Sequence, residues 1–207
     1  MLYSHTITSK CDYFIMKLPK EYFTEKEIRS IIDATGKGAS GIRNKALLMI
    51  MYKGCLRISE ALALKPKDID FDSKTVRVLH GKGDKSRTVG VGDEAIALLN
   101  TWLVTRKPYA SNHRTIFCLI TKGKKGEPIE TSYMRHLVKR LAIKAGIDKR
   151  VHPHAFRYTG ATHLRDRETP LAVIKEQLGH SRISTTDIYL RDVRQDDVIN
   201  AVNNAWN

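Results

Sequence analysis

Four side chains near the end of the chain have the chemistry needed to act on a phosphate ester. His154 and Arg157 form a His-x-x-Arg pair, His180 follows a glycine, and Tyr189 stands nine residues after His180. The histidines can move protons or donate hydrogen bonds, and the arginine fork fits phosphate oxygens. The tyrosine hydroxyl can act as a nucleophile and form a covalent intermediate. Residues 152–190 therefore predict phosphoryl transfer, and the rest of the chain must position these groups.

The composition predicts a globular protein that binds a polyanion. Among 207 residues, 36 Lys and Arg stand against 22 Asp and Glu, which gives a formal charge of +14 and a sequence pI near 9.8. Such a surface attracts nucleic acid. With 42% apolar residues the chain can bury a substantial core. Charge alone also fits a basic protein without such a partner.

The sequence gives no sign of a membrane segment, a signal peptide or a metal site. No apolar run approaches the ~20 residues of a membrane span, and the N-terminus has no continuous apolar stretch. Three widely spaced cysteines are typical of a reduced, cytoplasmic protein. No cysteine pair lies near the histidines, and His152 and His154 are not spaced as two ligands on one helix face. We therefore expect no metal and no cofactor.

The first half of the chain predicts helices and one hairpin. Residues 1–19 are irregular and are interpreted as an arm or linker remnant. Thr24 and Glu27 form a capping box for a helix to about residue 35. A buried helix over 42–53 and a short helix after Arg57 follow. Residues 75–79 and 87–91 alternate as strands joined by a basic turn, and Asp93 is the expected N-cap of a helix to about residue 107.

The second half predicts mainly helices. Residues 115–120 are an apolar run that is either a third strand or an extended core segment. Thr131 is the expected N-cap of a helix whose apolar face is Met134, Leu137, Val138, Leu141 and Ala142. Further helices are predicted over 154–165, from Thr169 to Gly179, and from about residue 184, the last carrying Tyr189. We therefore predict an α+β fold, mainly α-helical with a small antiparallel β-sheet.

The terminal segment, residues 193–207, carries an apolar stripe. Val198, Val202 and Trp206 are four residues apart, which places them on one face of a helix. This stripe fits two roles equally well: packing on its own domain or docking on a neighbouring subunit.

Four motifs, in order, resemble those of the tyrosine recombinases, the phage-integrase and Xer-type site-specific recombinases. They are GCLRISEALALKPKDID (54–70), GKGDKSR (81–87), HPHAFRYTGATHL (152–164) and LGHSRISTTDIY (178–189). Each motif alone is weak, but four in order at suitable separations are a strong signal. The resemblance covers about residues 20–192, and it implies the catalytic domain of that family, with its fold.

The resemblance implies a role for each matched residue. Tyr189 corresponds to the nucleophile and His154 to the base that takes its proton. Lys82, on the hairpin, corresponds to the general acid that protonates the leaving 5′-oxygen. The implied partners of the phosphate oxygens are Arg57, Arg157 and His180. Glu60 corresponds to the supporting acidic residue three positions after Arg57, while Lys85 and Arg87 are expected to contact the DNA backbone.

Some positions depart from the family pattern. Tyr158 follows Arg157 where many members have histidine, and Gly160 stands where a larger residue is usual. Leu190 and Arg191 follow Tyr189 where a small or polar residue and then histidine are common. None of these changes removes a group with an implied catalytic role.

The resemblance also implies partners. The family acts on double-stranded DNA sites, and we expect a homotetramer on DNA. Members usually carry an N-terminal core-binding domain, which residues 1–19 cannot supply, so we expect either a fragment of a longer integrase or a short form that needs a partner. Weak DNA binding with strong salt dependence is then expected of residues 1–207 alone. Two alternatives stay open: a DNA-binding accessory protein that does not cut, and a topoisomerase with type IB chemistry.

Overall fold

The computed structural model describes residues 22–79, 86–110, 115–179 and 195–206. Its α-helices are α1 (Glu25–Asp33), α2 (Ala39–Lys53), α3 (Ile58–Ala63), α4 (Gly92–Arg106), α5 (Thr131–Lys144), α6 (Pro153–Asp166), α7 (Leu171–Leu178) and α8 (Gln195–Trp206). Its strands are β1 (Ile69–Asp70), β2 (Thr75–Val78) and β3 (Arg87–Gly90). The mainly helical fold with one small antiparallel sheet confirms the predicted fold class.

Helix α2 lies at the centre of the core. Every residue from Ala46 to Lys53 is buried, and α2 packs against both α4 and α6. A helix that is apolar on nearly all sides must be covered all round. Helix α6, which carries His154 and Arg157, is therefore held in place by a helix whose second half is completely buried.

Gly160 allows α6 to approach α2 closely. A Cβ atom at this position would meet the carbonyl oxygen of Tyr52 and would lie 2.9 Å from Sγ of Cys55. The oxygen belongs to the backbone of a buried helix and cannot move aside easily. The close contact between the two helices explains why position 160 is glycine.

Gly160→Ala is expected to lower the free energy of unfolding by about 1–3 kcal/mol, the usual cost of overpacking a core. Urea denaturation measures this loss. Gly38→Ala is the matched control, because a Cβ at Gly38 meets nothing within 4 Å. Equal losses in the two variants would contradict the close-packing explanation.

The three strands form an antiparallel sheet in the order β1-β2-β3. Strands β2 and β3 are the predicted hairpin, with Thr75 opposite Gly90 and Val78 opposite Arg87. Strand β1 was not predicted, because two residues are too few to show alternation. In the run 115–120, Ile116, Phe117 and Cys118 are buried, and Cys118 forms an isolated antiparallel bridge with Pro128 instead of belonging to a strand.

Three helices begin one or two residues from where the sequence predicts. The N-cap residues are Val91 for α4, Glu130 for α5 and Pro170 for α7, rather than Asp93, Thr131 and Thr169. Asp93 lies instead in the first turn of α4, where its carboxylate suits the positive end of the helix and pairs with Lys74 at 2.7 Å. The capping box of α1 and the apolar face of α5 are confirmed.

Helix α8 packs on its own domain in this single chain. Val198 and Val202 are buried in a cluster with α7 residues. Trp206 Nε1 donates to the carbonyl oxygen of Lys53 at 2.9 Å, and the Lys53 ammonium lies 4.1 Å from the centre of the indole ring. Docking of this helix on a neighbouring subunit stays a prediction. In the parts of the chain that the structure describes, no helix is both long and apolar enough to cross a bilayer.

Candidate active site

Glu60 is the centre of a buried cluster of charged side chains. Arg57 donates to Glu60 twice, from its backbone N–H at 2.8 Å and from Nη1 at 2.7 Å. Arg87 donates from both terminal nitrogens, each 3.0 Å from a Glu60 oxygen. Nη1 of Arg157 lies 3.7 Å from the same carboxylate. One carboxylate therefore faces three guanidinium groups, and the cluster keeps an excess of positive charge.

The arginines hold Glu60 in its ionised form. Burial alone would raise the pKa of this carboxyl group, but hydrogen bonds and charge from Arg87 and hydrogen bonds from Arg57 outweigh it and lower the pKa to about 2. Glu60 is therefore an anion at all physiological pH values. It orients the arginines without neutralising them.

Arg157 is fixed by two main-chain oxygens. Nη1 donates to the carbonyl of Cys55 and Nη2 to the carbonyl of Leu178, both at 2.6 Å. Burial, followed by the charge of Arg57, lowers the pKa of Arg157 to about 10, so it stays protonated at neutral pH. Each terminal nitrogen carries a second N–H, which can donate a hydrogen bond to a phosphate oxygen.

The backbone at Cys55 has an unusual conformation, and its carbonyl group accepts from Arg157. Cys55 has a φ of +50°, a left-handed conformation that is unusual for a residue other than glycine. It lies between the end of α2 and Arg57, where the chain turns into α3. Strained backbone of this kind persists where surrounding contacts determine it, and here the carbonyl that it directs binds Arg157.

His154 lies beside the arginines at the start of α6. Its side chain is exposed, and its ring centre is 6.3 Å from that of Tyr158. Partial desolvation, with the charges of His152, Arg157 and Arg57, lowers the pKa of His154 below its ordinary value. The lower pKa favours the neutral imidazole, which is the form a general base requires.

The end of α7 leads directly to His180. Gly179 closes the helix with φ +64° and ψ +51°, the left-handed cap that glycine favours. A Cβ at this position would also lie 2.7 Å from Cδ of Arg87. The left-handed backbone conformation and the close approach of Arg87 therefore both favour glycine at position 179.

The structure brings together part of the predicted site. Arg57, Glu60 and Arg157 meet in the cluster. His154 lies close enough for the charges of Arg57 and Arg157 to lower its pKa. Lys82, Lys85, His180 and Tyr189 lie outside the described residues, so their positions and roles stay predictions.

Arg87 occupies a different environment from that expected of a residue that contacts the DNA backbone. Its side chain is only 11% exposed, and it binds Glu60 and the carbonyl of Gln177. In this structure it is a third arginine of the cluster. A contact with DNA stays a prediction.

Sequence reasoning missed a basic surface on α5. The side chains of Arg135, His136, Lys139 and Arg140 are all exposed, and their spacing places them on neighbouring turns of one face. The charge of Arg135 contributes to the lowered pKa of His154, so Arg135 lies near the site. The signal was available, because the polar positions alternate with the predicted apolar face.

Gln177 was also missed. It is fully buried on the face of α7 that carries Val173, Ile174 and Leu178. A polar residue on an apolar face was the available signal.

The described residues also bear on metal binding. Within the four described segments, no three His, Cys, Asp or Glu side chains come together in a way that could hold a metal ion.

Curated tyrosine recombinases are similar to most of the chain. XerC tyrosine recombinase of Xanthomonas axonopodis pv. citri (strain 306) is 37% identical over 173 residues, which cover 84% of this chain and 54% of that protein. XerC of Corynebacterium glutamicum is 38% identical over 148 residues, which cover 72% of this chain and 46% of that protein. The chain spans about half the length of the curated relatives it matches.

Solved structures share the fold. The crystal structure of XerA recombinase superposes with a TM-score of 0.68 at 28% identity, over 85% of this chain and 62% of that one. XerH recombinase in a post-cleavage complex with its palindromic difH substrate gives a TM-score of 0.67 at 28% identity, over 84% of this chain and 50% of that one.

The matched region contains the whole described site. The model of the phage integrase family matches residues 21–195, which include the Glu60 cluster, His154 and the predicted nucleophile. The four motifs, the fold and these matches agree, and the chain belongs to the phage integrase family of tyrosine recombinases.

Proposed function

We propose that this chain breaks and rejoins DNA at specific sites by transesterification through a 3′-phosphotyrosine intermediate. The observation that carries the proposal is the excess positive charge held around Glu60. Burying unbalanced charge is costly unless a ligand compensates for it. A phosphodiester that gains negative charge during attack supplies that compensation.

The proposed reaction needs no external energy source. The Tyr189 oxygen forms a bond to phosphorus, and the bond from phosphorus to the 5′-oxygen breaks. His154 takes the tyrosine proton, and Lys82 gives a proton to the leaving oxygen. Arg57, Arg157 and His180 bind the nonbridging oxygens. Religation is the same exchange in reverse, because one phosphodiester replaces another of similar energy.

The surface next to the cluster suits duplex DNA. The exposed basic face of α5 presents Arg135, His136, Lys139 and Arg140, and the charge of Arg135 acts on His154. Such groups bind phosphates along a duplex and make the affinity depend on salt. XerH, with which this chain shares its fold, is bound to a DNA substrate in its solved complex. A homotetramer on DNA, a cytoplasmic location, and an N-terminal core-binding domain or partner protein belong to the same proposal.

The proposal predicts a covalent adduct. The protein is incubated with a pool of nicked duplexes of randomised sequence, in which cleavage releases a short fragment and traps the ester. A band that survives denaturation and disappears in Tyr189→Phe is expected. Tyr109→Phe, a change on the 3-10 turn after α4, is the matched control and should keep the band.

The adduct assay, together with DNA-binding and plasmid-relaxation assays, separates the alternatives. DNA binding without an adduct on any duplex would contradict the proposal and favour an accessory protein. Relaxation of plasmid without sequence preference would favour a topoisomerase. A band of equal strength in Tyr189→Phe would also contradict the assigned nucleophile.

A further inference from the structure

The last turn of α7 holds two arginines of the Glu60 cluster through its main chain. The carbonyl of Gln177 accepts from Nε of Arg87 at 3.2 Å, and the carbonyl of Leu178 accepts from Nη2 of Arg157 at 2.6 Å. The last carbonyls of a helix have no partners within the helix and carry its negative end. The positions of both guanidinium groups therefore depend on where this turn lies.

The side chain of Gln177 fixes that turn against the sheet. It is fully buried, and its Oε1 accepts from the Gly90 N–H at 3.2 Å while its Nε2 donates to the Gly90 carbonyl at 2.7 Å. Strand β3 is an edge strand in the order β1-β2-β3, so its outer edge presents main-chain groups that need partners. The amide meets this need as a neighbouring strand would.

We propose that Gln177 is a positioning residue for the strand-cleavage reaction. It touches no reacting group itself. It sets the α7 turn against β3, and the turn then places Arg87 and Arg157 and, through Gly179, the start of the segment that continues to His180. The inference rests on the proposed function, because it concerns the rate of that reaction.

A purely structural role for Gln177 would have a different signature. A residue that only stabilises the fold affects the amount of folded protein, not the rate constant of protein that is folded and saturated with DNA. A positioning residue lowers that rate constant, because small displacements of the groups around the reacting phosphate are costly. Stability and rate must therefore be measured separately.

The test compares Gln177→Met with Val173→Ala. Methionine has a similar length but makes neither bond to Gly90, whereas Val173→Ala creates a small cavity on the same buried face of α7 and leaves both bonds. Both variants are expected to unfold at lower urea concentrations. Only Gln177→Met should slow adduct formation at saturating DNA, by on the order of 10²-fold, with a DNA affinity close to that of the unaltered chain.

Gln177→Glu provides a second measurement if Gln177→Met folds poorly. An ionised carboxylate accepts from the Gly90 N–H but repels its carbonyl, whereas a protonated carboxyl group restores both bonds. The cleavage rate of Gln177→Glu relative to the unaltered chain should therefore rise as the pH falls. Rates equal to the unaltered chain at every pH, or equal losses in Gln177→Met and Val173→Ala, would overturn the inference.

The positioning can also be judged without activity. The Nε–H signals of Arg87 and Arg157 in NMR spectra of the free protein report their surroundings. These signals should shift in Gln177→Met and stay in place in Val173→Ala. If the unaltered chain forms no adduct, the proposed function fails, and unshifted arginine signals in Gln177→Met would separately overturn the positioning role.

Discussion

Glu60→Gln is expected to lower the free energy of unfolding by about 3–5 kcal/mol at neutral pH, because it leaves buried arginines without their anion. Arg87 loses its bidentate partner, and Arg157 loses the nearest negative charge. Urea denaturation measures the loss. Asp33→Asn is the control, because Asp33 is 66% exposed and pairs with Lys45 at the surface, where a salt bridge contributes at most about 1 kcal/mol.

The pH dependence identifies the ionised carboxylate as the cause. The pKa of Glu60 is about 2 in the folded protein against an ordinary value of 4.5. Its contribution to stability is therefore fully present above pH 4.5 and is lost as the pH falls through 2. The stability difference between the unaltered chain and Glu60→Gln should shrink over this range. A difference that stays constant with pH would contradict this explanation.

Arg157→Lys is expected to reduce the rate of adduct formation by on the order of 10²–10³-fold in folded protein saturated with DNA. A guanidinium group can bind Cys55, Leu178 and a phosphate together, because its donors lie in a fixed fork, whereas an ammonium group is a single point of charge. Single-turnover kinetics with the nicked duplex, in which cleavage traps the ester, measures this rate.

The matched control for this change lies on the same helix. Arg165 is 38% exposed and pairs with its neighbour Asp166, so Arg165→Lys should leave the rate unchanged. An Arg157→Lys rate close to that of the unaltered chain would show that the fork geometry is not required.

Local patterns predicted much of the fold. The apolar face of α5 and the capping box of Thr24 depend on residues a few positions apart, and both are confirmed. The hairpin followed from alternation in β2 and β3. Strand β1 and the true N-caps of α4, α5 and α7 did not follow, because short elements and neighbouring cap candidates are decided by tertiary contacts.

The same limit applies to the site. The motifs named Arg57, Glu60, His154 and Arg157, but the sequence could not show that Arg87 binds Glu60 across 27 positions. It also could not show that Gln177 binds Gly90 across 87 positions. The first contact arises only when the hairpin packs against α3 and the second only when it packs against α7, so no local spacing encodes them.

The most direct test of the account is to identify the residue that carries the DNA. After the adduct forms, nuclease and trypsin digestion followed by tandem mass spectrometry should find a nucleotide 3′-phosphate on the peptide 183–191 (ISTTDIYLR), attached at Tyr189. Attachment to any other residue, or a 5′-phosphate linkage at Tyr189, would contradict the proposed mechanism.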